Sequence, residues 1–147
     1  MTRAVADPRC RSGPDLLPHT GTARLLTEIV RTGPDFVEAI CLVPASHPLA
    51  TGDRAPCFLG VELGAQAAAV LEALDRATST GDSAPRVGYL VRVREAIFLR
   101  PDFPVDTPLF VTAHLERAAP PLGTFRISVS VDGIEFLQAT LVTYGRT

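Results

Sequence analysis

The chain has 147 residues, a net charge of −2 and 46% apolar side chains, which suits one domain with a core of its own. This balance leaves no basic footprint for nucleic acid and no polybasic patch for an anionic membrane surface, and no apolar run approaches the length of a membrane span. Three cysteines, Cys10, Cys41 and Cys57, without a CxxC spacing, argue against a disulfide framework or a bound metal such as zinc.

Met1 to Asp15 carry Arg3, Asp7, Arg9 and Arg11 ahead of Gly13-Pro14 and lack the apolar h-region of a secretory signal. Residues 1–15 are therefore expected to form a flexible tail, residues 16–147 a single domain, and the protein is expected in the cytoplasm. Leu16-Leu17-Pro18-His19 leads into a first predicted strand, Ala23 to Arg31. Gly33-Pro34-Asp35 marks a turn. Phe36 to Val43 is rich in β-branched and apolar residues and is predicted as a strand covered on both faces. Pro44 to Arg54 has the composition of a loop.

From Ala55 the pattern changes. Pro56 stands near the start of a stretch of Ala, Leu, Glu and Gln running to Ala77, which predicts a helix over about residues 56–77. Between Ala55 and Leu71 only Glu62 and Gln66 are strongly polar. A helix that is apolar on every side must be wrapped on every side. A curved sheet covers one side, so a second subunit is expected to supply the rest.

Gly81 and Pro85 end the helix, and the remainder is β. Val87 to Val93 alternate, and the alternation slips near Arg94-Glu95, which predicts a bulge before Ile97-Phe98-Leu99. Leu109 to Glu116 and Phe125 to Val131 alternate likewise. Asp132-Gly133 follows at once as a type I′ hairpin signal, and Ile134 to Tyr144 returns. One long helix with a mostly antiparallel sheet makes an α+β domain.

Glu62 is the most informative residue, with Gln66 one turn away on the same face. Burial raises the pKa of a carboxyl group, which is how enzymes obtain an acid near neutral pH. The plainer alternative is a Glu that caps a backbone group or points at solvent. His47, in Ser46-His47-Pro48 before the helix, has the chemistry of a base near pH 7, or is an ordinary loop histidine. The start of the helix offers N–H groups to polarise a carbonyl. His19 reads as structural, His114 as surface, and Tyr89 and Arg92 as core or solvated face rather than channel lining. No phosphate-binding glycine loop and no GxSxG elbow occurs.

Three segments carry a resemblance. They are Leu16-Leu17-Pro18-His19 with Leu25-Leu26, Glu62-Leu63-Gly64-Ala65-Gln66-Ala67, and Phe103-Pro104-Val105-Asp106-Thr107-Pro108-Leu109. In this order they resemble the hotdog-fold 3-hydroxyacyl-ACP dehydratases, and among these the dehydratase-like subunits of aryl-polyene pathways. The resemblance implies a curved antiparallel sheet wrapped around one central helix. It implies removal of water from a 3-hydroxyacyl thioester to give a 2-enoyl thioester, with His47 as base and Glu62 as acid. It places the carbonyl-binding N–H near Cys57, with Gln66 beside the substrate. No cofactor is implied beyond the phosphopantetheine arm of an acyl carrier protein. The two side chains of one site would come from different subunits, in a homodimer or in a heterodimer with a second hotdog subunit.

The chain departs from the family at His47-Pro48-Leu49-Ala50, where the fatty-acid enzymes have His-Phe-Pro-Gly, and the spacing from His47 to Glu62 is one residue longer. The alternatives are a hotdog acyl thioesterase, in which the helix carboxylate activates water, and a non-catalytic subunit of a heterodimeric dehydratase.

Overall fold

The computed structural model describes residues 24–81 and 88–145; the predicted tail, His19 and Cys10 lie outside them. The elements are β1 (Leu26–Thr32), β2 (Phe36–Cys41), β3 (Arg54–Pro56), α1 (Leu59–Thr80), β4 (Gly88–Phe98), β5 (Asp102–Pro104), β6 (Leu109–Ala119), β7 (Leu122–Val131) and β8 (Ile134–Gly145). Six strands form one antiparallel sheet in the order β1-β2-β6-β7-β8-β4, and β3 pairs with β5 apart from it. The α+β hotdog architecture expected from the sequence is the one found.

Period-two alternation sorts the strands into two faces. Leu109, Val111 and Ala113 of β6, Phe125, Ile127 and Val129 of β7, and Leu137, Ala139 and Leu141 of β8 are buried. The helix packs on this face, against β1, β2, β6, β7 and β8. Leu59, Leu63, Ala67, Val70 and Leu71 complete the core from the helix side. Two glycines set how close the helix comes. A Cβ at Gly60 would run into Leu137 and Phe103, and one at Gly64 would lie 2.7 Å from Ile127 Cδ1. The opening turns of α1 therefore lie directly on the strands below.

The turn chemistry is as the sequence predicts. Asp132 and Gly133 both have positive φ, 50° and 79°, as a type I′ hairpin requires. The bulge near Arg94-Glu95 is present as a register shift between Arg94 and Ile97, with Glu95 at φ 52°. Gly81 ends the helix in the left-handed region, its N–H donating to Ala77 at 2.9 Å.

Several boundaries differ from the sequence expectation. The helix covers residues 59–80 rather than 56–77, because Arg54–Pro56 is engaged as a strand against β5. Backbone pairing outweighs the helix signal of Pro56, whose missing N–H suits the end of a short edge strand as well as the first turn of a helix. Glu62 consequently lies in the first turn of the helix. β2 is fully buried on one face only, through Val37, Ala39 and Cys41. Both short strands were illegible because three residues carry no period.

Candidate active site

The opening of α1 is fixed from below and from the side. Arg54 Nε donates to Asp102 Oδ1 at 2.6 Å across the β3–β5 pair, and the Cys57 N–H donates to the Pro101 carbonyl at 3.0 Å. Phe58 is the N-cap residue, in the right-handed region, and its side chain makes no capping bond. Gly60 N–H turns back to Cys57 O at 2.9 Å and Val61 N–H to Phe58 O at 3.1 Å. Among the described residues the N–H groups of Phe58 and Leu59 therefore have no backbone partner. These are the orphan donors of a helix start, with the positive end of the helix dipole behind them. The Cys57 N–H, near which a carbonyl-binding donor is expected from the resemblance, is spent on Pro101, and the open N–H groups lie one and two residues further on.

The Cys57 side chain is buried, its Sγ 3.8 Å from the Phe136 carbonyl. Burial, with Asp102 adding, pushes its thiol up to about 11, so it is a neutral packing group rather than a nucleophile. Cys41 is buried as well, and desolvation pushes its thiol higher still.

Glu62 is half-buried one turn into the helix. Gln66 Nε2 donates to Glu62 Oε1 at 3.0 Å. The amide oxygen of Gln66 accepts the N–H groups of Leu25 at 3.0 Å and Leu26 at 3.1 Å. Those two donors leave only one orientation for the amide, so its NH₂ must face Glu62. Gln66 itself is fully buried. Its bonds thus tie the entry to β1 onto the helix and orient the Glu62 carboxyl.

His47 sits half-buried on the loop between β2 and β3. The loop is clamped by Asp106, which stands in the third of the resembling segments and has no role assigned from the sequence. Asp106 Oδ1 accepts the Ala45 N–H at 3.1 Å, and the Asp106 N–H donates to the Val43 carbonyl at 2.8 Å. Asp106 stands at φ 52°, a conformation that Asp adopts more readily than most residues. Its signal in the sequence was an aspartate in a turn ahead of a long strand. Leu49 N–H donates to His47 Nδ1 at 3.1 Å. With Nδ1 an acceptor, the neutral ring carries its proton on Nε2. Among the described residues no hydrogen bond or ion pair joins His47 to Glu62 within one protomer.

A second helix carboxyl, Glu72, was not singled out from the sequence. Ten residues beyond Glu62, it lies about 15 Å further along the helix axis. It accepts the Thr143 hydroxyl at 2.7 Å. Burial pushes its carboxyl up from the ordinary value, against the opposing pulls of that hydrogen bond and of Arg76. His114, read as surface, is exposed and stacks on Phe36 with ring centroids 5.9 Å apart. Among the described residues no cluster of three His, Cys, Asp or Glu is placed to hold a metal ion, and no helix is long and apolar enough to cross a membrane.

A family model described as ApeP-like, ApeP dehydratase, matches residues 12–147. Among solved structures the chain is similar to the dehydratase heterocomplex ApeI:P from Xenorhabdus doucetiae, with 22% identity and a TM-score of 0.83, over 95% of this chain and 93% of that one. It is also similar to a hypothetical thioesterase protein with coenzyme A from Streptococcus pneumoniae TIGR4, with 13% identity and a TM-score of 0.59, over 81% and 84% of the two chains. The PaaI protein of the E. coli phenylacetic acid degradation operon matches with 18% identity and a TM-score of 0.58, over 79% and 80%. No curated protein matches the chain. At these identities the structural likenesses report the shared fold.

Proposed function

The chain belongs to the ApeP-like dehydratase family, and we propose that it works as one subunit of a two-chain dehydratase acting on 3-hydroxyacyl groups carried by an acyl carrier protein. The observation that carries this reading is the Glu62 carboxyl, oriented by the buried Gln66 amide in the same turn as the open N–H groups of Phe58 and Leu59. An acid and an oxyanion donor in one helix turn suit a reaction that both polarises a thioester carbonyl and protonates a leaving oxygen.

In this reading the thioester oxygen accepts from the Phe58 or Leu59 N–H. A histidine takes the proton from the carbon alpha to the carbonyl. That C–H electron pair becomes the C=C bond, the C3–O bond breaks, and the hydroxyl leaves as water with the proton from Glu62. Base and acid come from opposite subunits, in keeping with the lack of a bond between His47 and Glu62 in one protomer. For His47 to act as base through Nε2, its resident proton must sit on Nδ1, and the Leu49 N–H bond must open. The substrate arrives on the phosphopantetheine arm of the carrier protein, and no other cofactor takes part. The unlike partner is a second hotdog subunit, a reading supported by the heterocomplex neighbour.

Intact mass spectrometry of a 3-hydroxyacyl carrier protein, incubated with this chain and its partner subunit, tests the proposal. Loss of one water with the acyl group retained is expected, and Glu62→Gln in this chain should slow it by about 10²–10⁴-fold. Loss of the whole acyl group would instead mark a thioesterase. Dehydration indifferent to Glu62→Gln would reduce this chain to a scaffold for its partner's site.

A further inference from the structure

The groups assembled at the opening of α1 suit two reactions. Open N–H groups at Phe58 and Leu59 and a carboxyl at Glu62 serve elimination of water, and they also serve attack of water on the thioester carbonyl. In that second reaction Glu62 takes a proton from water as its oxygen adds to the carbonyl carbon. The N–H groups hold the oxyanion, the C–S bond breaks, and the sulfur leaves as a thiol with the proton from Glu62. An enzyme that dehydrates its acyl group and keeps it on the carrier must hold water away from the carbonyl carbon.

The side chains around the open N–H groups differ sharply in where they lie. Cys57 is 2% exposed, with its Sγ on the Phe136 carbonyl. Leu59 is 7% exposed and belongs to the core. Gly60 has no side chain and lies against Leu137 and Phe103. Of residues 57–60, Phe58 alone keeps its side chain outside the core. At 56% it is the most exposed of the large apolar side chains among the described residues.

The backbone sets the direction of that ring. Phe58 has helical angles, φ −63° and ψ −20°, so its Cα–Cβ bond tilts toward the N-terminal end of the helix. The open N–H groups point to the same end, and one of them is Phe58's own. Glu62 stands one turn further on, on the same face, and its side chain leans back over that turn. A thioester whose oxygen accepts from the Phe58 or Leu59 N–H thus has the ring at its carbonyl and the carboxyl over its acyl chain.

Helix stability gives no reason for a phenylalanine here. Phe58 is the N-cap residue and makes no capping bond, where Ser, Thr, Asp or Asn would stabilise the helix. Core packing gives none either, since the ring is exposed.

We propose that Phe58 is a specificity-determining residue whose ring covers the thioester carbonyl, keeps water from the carbonyl carbon and commits the site to dehydration rather than thioester hydrolysis. The proposal rests on the dehydratase reading above for the bound group. Two substrates keep the two claims apart. A 3-hydroxyacyl carrier protein reports dehydration. A saturated acyl carrier protein has no hydroxyl to lose, so it reports hydrolysis alone.

The test is intact mass spectrometry of both carrier proteins, incubated with this chain and its partner subunit, for the wild type, Phe58→Ser and Phe58→Leu. None of these variants loses the Phe58 N–H. Phe58→Ser removes the ring and supplies a capping hydroxyl, so its melting temperature should hold or rise. It should release free acid from the saturated substrate about tenfold or more faster than the wild type. Adding Glu62→Gln should abolish that gain. Phe58→Leu keeps apolar bulk and should stay near the wild-type rate. Wild-type hydrolysis in a folded Phe58→Ser overturns the proposal, and a loss of partner binding by native mass spectrometry in its place would assign the ring to the subunit contact. A gain that survives Glu62→Gln overturns it as well, because water would then be attacking elsewhere. A wild type that fails to dehydrate the 3-hydroxyacyl substrate counts against the dehydratase reading, while the saturated substrate still judges Phe58.

Discussion

Gln66 stands between β1 and Glu62, with its amide nitrogen 3.0 Å from Glu62 Oε1 and its oxygen holding the Leu25 and Leu26 N–H groups. One buried side chain thus couples the anchoring of the first strand to the orientation of the Glu62 carboxyl. Gln66→Leu should leave two buried donors unsatisfied, at roughly 1–3 kcal/mol each, and lower the melting temperature by several degrees. Gln66→Glu keeps an acceptor for both donors but sets a second carboxyl against Glu62. It should lose less stability and still lose most of the dehydration rate. Thermal melts and turnover on the same preparations check both.

Asp106 holds the His47 loop through its bonds to Ala45 and Val43, and in the proposed reaction it acts only by placing His47. Asp106→Ala removes the acceptor of the Ala45 N–H. A shift of about 1 Å in a catalytic group can cost about a hundredfold in rate. The expected outcome is a fall in kcat with KM changed little and the fold intact by circular dichroism. A fall in KM alone, or unfolding, would count against this positioning role.

Glu72 makes stability depend on pH. Its folded-state pKa is raised by burial, so the folded chain binds this proton more tightly than the unfolded chain does. That contribution is fully present below the ordinary carboxylate pKa of 4.5, and it is lost as pH rises through the folded-state value. Glu72→Gln keeps an acceptor for the Thr143 hydroxyl and removes the charge. It should raise stability at pH 7 and flatten the pH dependence in denaturant titrations across the acid range.

Gly64 allows no side chain. An added Cβ would lie 2.7 Å from Ile127 Cδ1 and 2.9 Å from Ile127 Cβ. Gly64→Ala should cost about 1–3 kcal/mol by overpacking, outweighing the ~1 kcal/mol that alanine gains in a helix. A melt shifted upward would show that the helix can lift off β7 freely.

The Cys57 thiol, buried and pushed up to about 11, should resist alkylation at pH 8 in the folded protein and react at once in denaturant. Peptide mass spectrometry after iodoacetamide treatment reads this directly. Rapid labelling of Cys57 in the native chain would show that the opening of the helix is loose.

The sequence alone determined the elements that carry a period or a turn code. Val111 and Val129 alternate into the core, Asp132-Gly133 makes its hairpin, and the slip at Arg94-Glu95 makes its bulge, because these are local rules of backbone and side-chain geometry. Glu62 and Gln66 were legible as a pair because they are the two strongly polar residues between Ala55 and Leu71. What only the tertiary structure decided depends on contacts between distant segments. Pro101 takes the Cys57 N–H and Asp102–Pro104 claims Arg54–Pro56, and together they move the helix start to Leu59 and Glu62 into its first turn. Asp106 reaches across 61 residues of sequence to the His47 loop. Arg92 reads in the sequence as core or solvated face, and the sheet order places it exposed on the open edge. Alternation encodes which face a side chain takes, but not which strand lies beside it, and here the neighbour sets what each charge can do.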